Sequence, residues 1–183
     1  SSCLGGLNED AIYSLALDES NNIYVTGGTN SEDFPATTNA YLNTIQSIDK
    51  ADAFVSKIDS DGNNIISSSY YGSNQYDQSY FVEIGSGDNI YLLGQTKANG
   101  TSLVNNSAYF QNNGGQFVAV FSKDLTNVLR STVFGTGKGT PDISPTAFLV
   151  DICDKIYIAG WGSNLGGPLS TLNLDVSIDA FQN

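Results

Sequence analysis

Three stretches in which apolar and polar residues alternate open three copies of one pattern: Tyr13, Leu15 and Leu17; Tyr80, Val82 and Ile84; Thr146, Phe148 and Val150. A period of two predicts a β-strand with one buried face. A turn of four residues follows each, Glu19-Ser20-Asn21-Asn22, Ser86-Gly87-Asp88-Asn89 or Ile152-Cys153-Asp154-Lys155, and the Asn, Asp and Gly in most copies suit a tight hairpin. The second strand of each copy is the most repeated phrase of the chain: NIYVTG from Asn22 to Gly27, NIYLLG from Asn89 to Gly94, KIYIAG from Lys155 to Gly160. Its shared Ile23, Ile90 and Ile156 stand 67 and 66 residues apart. Self-similarity at a fixed period of this length marks a solenoid, propeller or array.

After a connection of 20 or more residues comes a second hairpin. Phe54, Ser56 and Ile58 lie in one strand, Asp61-Gly62 in the turn, and the return strand starts at Ile65. Its counterpart places Phe117 to Phe121 and Val128 to Phe134 around Lys123 to Asn127. Each complete unit therefore supplies four antiparallel strands, the composition of a propeller blade. The fold class expected is all-β, made of β-propeller blades in an incomplete propeller. A β-solenoid is the alternative, ranked second because its coils are shorter and carry fewer hairpins. The blades are read at residues 8–72 and 73–135, with 1–7 as the last strand of a preceding blade and 136–183 as a partial blade of two strands and a loop. A closed propeller needs at least about four blades, so the chain reads as part of a larger one.

The long connections carry a repeated aromatic, in Asn39-Ala40-Tyr41, Ser107-Ala108-Tyr109 and Asp179-Ala180-Phe181. The preferred reading is a ring that anchors each loop to its own blade, ahead of an aromatic ligand platform. An acidic residue also precedes each first strand: Asp10, Asp77 and Asp142, after Gly6, Gly72 and Gly135. Three equivalent carboxylates could line a site, but a carboxylate in a turn more often accepts from nearby amides and fixes the path of the chain.

Composition narrows the function. The chain has 183 residues, 40% of them apolar, with 19 Gly, 10 Tyr and 9 Phe, which agrees with a folded strand-and-turn protein. A net charge of -12 argues against a nucleic-acid surface, which needs Lys and Arg on phosphates. No apolar run reaches the length of a membrane-spanning helix. Histidine is absent, which removes His-dependent nucleophilic triads and the commonest metal ligand. No catalytic residue is assigned. Asp59 and Asp61, in Asp59-Ser60-Asp61-Gly62-Asn63, are the calcium candidates because oxygen ligands at alternate positions before a Gly resemble a calcium loop. The remaining ligands of such a loop are missing, and Asp-Gly is first of all a hairpin turn. Cys3, read in a strand, and Cys153, in a hairpin turn of another unit, are not expected to pair.

The stretch SSCLGGLNEDAIYSLALDESNNIYVTGGTNSEDFPATTNAYLNT, followed by DAFVSKIDSDGNNIISSSYYG, resembles the bacterial SBBP-type β-propeller repeat. The later units drift: the second lacks the Asp33-Phe34-Pro35 element and the third inserts Trp161 to Asn173 before its aromatic anchor. The resemblance implies a secreted or cell-surface bacterial protein, in some bacteria a type IX secretion substrate, with no family catalytic motif. The expected function is a non-enzymatic scaffold or protein-binding module, with no cofactor assigned. Its expected partners are the remainder of the same propeller and another protein. The alternative is a glycan-binding or glycan-cleaving propeller, motivated by the tyrosines, Trp161 and surface carboxylates.

Overall fold

The computed structural model describes residues 3–47, 49–162 and 174–175. Ten strands form three antiparallel sheets. The first contains β1 (Asp10–Leu17), β2 (Ile23–Thr29), β3 (Asp52–Ile58) and β4 (Ile65–Tyr71) in the order β1-β2-β3-β4. The second repeats this with β5 (Asp77–Ile84), β6 (Ile90–Thr96), β7 (Gln116–Phe121) and β8 (Val128–Phe134). The third pairs β9 (Ser144–Val150) with β10 (Ile156–Trp161). None of the sheets is closed, and each full sheet is a meander, as propeller blades require and solenoid coils do not.

The sheets stack face to face, with the first strand of each against the first strand of its neighbour: β5 lies on β1 and β2, and β9 on β5. Within β2, β3, β6 and β7 residues alternate between the two faces. Tyr24, Val55 and Tyr71 of the first sheet meet Val82, Ile90, Leu92, Phe117 and Phe121 of the second in the largest apolar cluster. Tyr91, Leu93, Val118 and Val120, on the second sheet, meet Phe148 of the third.

This stacking corrects one expectation. Leu15, Val82 and Phe148 occupy the same position in the three first strands, yet Leu15 is 64% exposed while Val82 and Phe148 are 2% and 6% exposed. The face they share looks toward the preceding sheet, and among the described residues no strand covers that face of β1. Leu15 and Leu17 are therefore exposed, and Tyr13, at the bulge, is half exposed with its ring on Tyr80 of the second sheet, so the three do not form the buried face that alternation alone predicted. Residues 3–7 differ as well: those residues, Cys3 among them, form no strand, because no described strand offers them a ladder partner. Leu4 instead packs beside the cluster of Val25, Phe34, Phe54 and Tyr70. Cys3 and Cys153 are both free and exposed.

The glycine of the repeated phrase has a structural cause that pattern reading missed. Each first strand carries a bulge at the same place, between Ile12 and Ser14, Ser79 and Phe81, and opposite Ala159 and Gly160. The bulge turns the inner strand toward its partner. A Cβ on Gly27, Gly94 or Gly160 would run into the carbonyl oxygen of Ala11, Gln78 or Ser144, the last at 2.8 Å.

Candidate functional site

The repeated carboxylates lie at the junctions between sheets and are engaged with their own chain. Asp10 accepts from the Gly6 amide at 2.7 Å and the Ser31 hydroxyl at 3.0 Å. Asp77 accepts from the Ser73 amide at 2.6 Å and hydroxyl at 2.8 Å, and from the Thr96 hydroxyl. Asp142 accepts from the Thr136 amide at 2.8 Å and from its hydroxyl. In all three the carboxylate caps the turn that enters a first strand, the role weighed above a ligand site.

One further acid lies at the first of these junctions. Asp52, at the start of β3, is fully buried, accepts from the Gln46 amide at 2.6 Å through Oδ2, and leaves Oδ1 without a partner. A Cβ on Gly72 would stand 2.9 Å from Asp52 Oδ1 and 3.1 Å from Asp77 Oδ2, so this glycine leaves the two carboxyls facing each other across its bare Cα. Burial, with the charge of Asp77 adding to it, outweighs the Gln46 and Ser47 hydrogen bonds and pushes Asp52 up to about 7. Burial raises Asp77 too, against the bonds from Thr96 and Ser73. At the next junction the counterpart of Asp52 is Gly115, and the buried neutral Gln116 stands beside Gly135. The sequence offered no sign of this pair because the two acids are 25 residues apart in unlike contexts.

Asp59 is also taken up by its own hairpin. Its Oδ1 accepts from the amides of Asn63 at 2.7 Å and Asn64 at 3.1 Å, and its Oδ2 from the Asn64 side chain at 2.6 Å. These bonds, the Asn64 side chain first, hold the carboxylate below its ordinary range. The hydrogen bonds of this cluster do not involve Asp61, and no group of three or more His, Cys, Asp and Glu fit for a metal occurs among the described residues. Asp59 thus serves as the cap of its own turn.

Asp18 and Asp151 cap the first hairpins of their units in the same way, each accepting from two amides of its turn. Their counterpart in the second unit is Gly85, and the missing cap comes from the neighbouring sheet: Asp154 accepts from the Ser86 amide at 2.7 Å and from its hydroxyl. Asn21, Asp88 and Asp154, at the third position after each of these residues, all have left-handed backbone with φ near 60°, which Asn and Asp tolerate better than other side-chain-bearing residues.

The loop aromatics do more than the sequence predicted. Tyr41 packs on Tyr71 of its own β4, but it also meets Phe121 of the next sheet edge-on, ring centres 5.8 Å apart, and its amide donates to the Leu125 carbonyl at 2.9 Å. It therefore ties its loop to the following blade as well as to its own. Asp179-Ala180-Phe181 lie outside the described residues.

Tyr109, the counterpart of Tyr41, lines an open groove of about 370 Å³ between the second and third sheets. Tyr91, Val118, Val120 and Phe134 form one wall, Ile156 and Ile158 the other, with Arg130 and Asp154 at the rim. Several apolar residues here have fully buried counterparts one repeat earlier: Ile90 and Leu92 are 0% exposed, whereas Ile156 and Ile158 are 39% and 36% exposed. Among the described residues the lining of the groove is mixed apolar and polar and carries one carboxylate, Asp154. No helix among the described residues is long and apolar enough to cross a membrane.

Residues 4–35 match the family model of the SBBP beta-propeller repeat, a span that runs through β1 and β2 to Pro35. No curated protein matches the chain.

Proposed function

From a chain that carries an SBBP-type β-propeller repeat, we propose a non-enzymatic, protein-binding propeller module of a secreted or cell-surface bacterial protein. The observation that carries this reading is the use made of the polar groups. Asp10, Asp77, Asp142, Asp18, Asp59 and Asp151 all accept from nearby amides of the chain and hold turns in place. What faces outward at the ends of the stack is apolar: Leu15 and Leu17 at one end, Ile152, Tyr157 and Trp161 at the other. Exposed apolar surface of this kind marks protein contact. The remainder of the same propeller is the first such contact and a separate protein, met through loops, the second.

One observation favours a glycan ligand instead. Tyr109 and Tyr91 stand in the groove with Asp154 and Arg130 at its rim, and aromatic rings beside hydrogen-bonding side chains suit sugars. A glycan array together with a panel of glycosidase substrates separates the two readings. The protein-binding reading expects no retained glycan and no turnover. Turnover lost on Asp154→Asn would overturn it.

A further inference from the structure

We propose that the cleft at the rim of the junction between the first and second sheets is a docking site for an arginine side chain of a partner protein, with the guanidinium between Asp88 and Asp124 and over Ser67. The proposal deepens the reading of the chain as a protein-binding module and rests on it.

The cleft has a volume of about 490 Å³, inside the range of roughly 300–1,000 Å³ that small-ligand sites occupy. Its walls belong to the first two units, whose sheets both have all four strands. Its floor is set by the register. Tyr24, Lys57 and Ser67 lie side by side across β2, β3 and β4, and directly paired residues of an antiparallel sheet point to the same face. That face is the one turned to the second sheet, because Tyr24 belongs to the apolar cluster shared with it. Ser67 therefore points into the cleft. It is 8% exposed, and its Oγ has no hydrogen-bond partner among the described residues, a costly state for a buried hydroxyl.

The second unit shows what suits this place. Its corresponding row is Tyr91, Val120 and Arg130, so a guanidinium stands where the first unit has the Ser67 hydroxyl. The bonds from Ser86 first, and the charge of Arg130 after them, hold Asp154 below its ordinary range. Asp88 has in the first cleft the place that Asp154 has beside Arg130, each coming from the first hairpin turn of the following unit.

The first cleft has the carboxylates without the guanidinium. Asp18 is fully engaged, by the amides of Ser20 and Asn22, the Asn22 side chain and Lys57. Asp88 has Lys123 as its ionic neighbour at 4.0 Å, with both side chains exposed, and such a pair is weak. Asp124 accepts through Oδ1 from Ser122 and Thr126, and its Oδ2 accepts nothing among the described residues. These three carboxylates outnumber the two lysines of the lining, and the chain carries a net charge of -12, so the cleft draws cations. A guanidinium suits it better than an ammonium, since a planar fork can serve two carboxylates and still present an N–H to a hydroxyl.

The test is a nuclear magnetic resonance titration of the 183-residue chain with N-acetyl-arginine methylamide. Saturable shifts are expected at the amides of Ser67, Asp88 and Asp124, and none from the citrulline analogue, which has the same shape without the charge. Asp88→Asn combined with Asp124→Asn should weaken binding about tenfold. Asp49→Asn combined with Asp61→Asn removes the same charge outside the cleft and should leave binding unchanged. Ser67→Arg copies the second unit and should abolish binding by filling the site from within. Equal shifts from the arginine and citrulline compounds, or equal losses in the two double variants, overturn the proposal. The same titration with maltohexaose separates the premises. No shift from either the arginine compound or the oligosaccharide overturns the cleft alone and leaves the protein-binding reading standing; cleft shifts from the oligosaccharide and none from the arginine compound overturn both.

Discussion

The junction between the first and second sheets and the junction between the second and third are built from the same words and differ in how far they are filled. At the first, Tyr24, Val55 and Tyr71 lie under Ile90, Leu92, Phe117 and Phe121, and water is excluded. At the second, among the described residues, Tyr91, Val118 and Phe134 face β9 and β10, and a groove lies where β7 and β8 stand in the first. The comparison teaches that in this repeat the first hairpin of a unit sets its position against the preceding sheet, while the second hairpin completes the burial. Residues with identical patterning thus sit in unlike surroundings, and substitutions at paired positions can measure the difference.

The largest effect is expected from Ile90→Ala set against Ile156→Ala. Removing a fully buried Ile leaves a cavity and costs about 2–5 kcal/mol. At Ile156 the same change removes a side chain already partly in water and should cost about 1 kcal/mol. Chemical denaturation of both variants checks this. Equal losses would mean that the second junction is as well covered as the first.

Gly94→Ala comes next. The new methyl group would meet the Gln78 carbonyl and the Phe117 ring together, and a clash with backbone cannot be relieved by a rotamer change, so a loss of about 1–3 kcal/mol is expected. Gly62→Ala is its control: a Cβ there meets nothing within 4 Å and only the left-handed φ of 71° opposes it, for a cost of about 1–2 kcal/mol. Thermal melts of the two variants order these costs, and a Gly62→Ala variant less stable than Gly94→Ala would refute the bulge as the reason for the conserved phrase within the chain.

How much of this could be read in the chain depended on whether the signal was local. The strands, the hairpins and the period are local: Leu15, Leu17 and the NIYVTG phrase announce themselves within a few residues, and both expected hairpins of the first unit are present. Exposure is not local. Alternation says that Leu15 points to one face of its sheet, but only the neighbour decides whether that face is dry. The facing of Asp52 and Asp77 was illegible for the same reason, because Gly72 brings them together and no spacing rule joins the three. The reach of Tyr41 to Phe121 likewise belongs to the junction between units, where a reading unit by unit ends.

A third, smaller contrast lies in charge. The first junction buries Asp52 against Asp77, and the second has the neutral Gln116 in the corresponding space. Lys50, two residues before Asp52, directs its ammonium to Gln75 at 2.7 Å, and Tyr70 of β4 is the other titratable group that senses the Asp52 charge. A carboxyl raised in the folded protein from its ordinary 3.8 to about 7 binds its proton more tightly folded than unfolded. Its contribution to stability is therefore complete below about pH 4, is lost as the pH rises toward 7 and is level above that. Asp52→Asn should remove this decline and make the variant the more stable protein above pH 7, by on the order of 1–3 kcal/mol. Denaturation midpoints at pH 5 and 8 for both proteins give the answer, and parallel curves would show that Asp52 is charged at both.

The smallest effect concerns the rim of the first junction. Lys57 pairs with Asp18 at 3.1 Å and lies over the Tyr24 ring, 4.9 Å from its centre. The second sheet has Val120, Gly85 and Tyr91 at these places, so the first unit uses a charge cluster where the second uses a branched apolar side chain and a cap from Asp154. Burial tends to raise Asp18, but hydrogen bonds from Asn22 and Lys57 prevail and bring it down to about 2. The depressed value makes the contribution of Asp18 present above about pH 4 and lost as the pH falls through 2. Lys57→Ala should cost about 1 kcal/mol at neutral pH and narrow this acid-dependent loss, since only Asn22 and the Ser20 amide then hold the carboxylate. Lys57→Val, which copies the second unit, should recover part of the cost by covering Tyr24 as Val120 covers its own sheet. If Lys57→Val and Lys57→Ala are equally destabilised and titrate alike, the ion pair and not the coverage of Tyr24 is what Lys57 contributes.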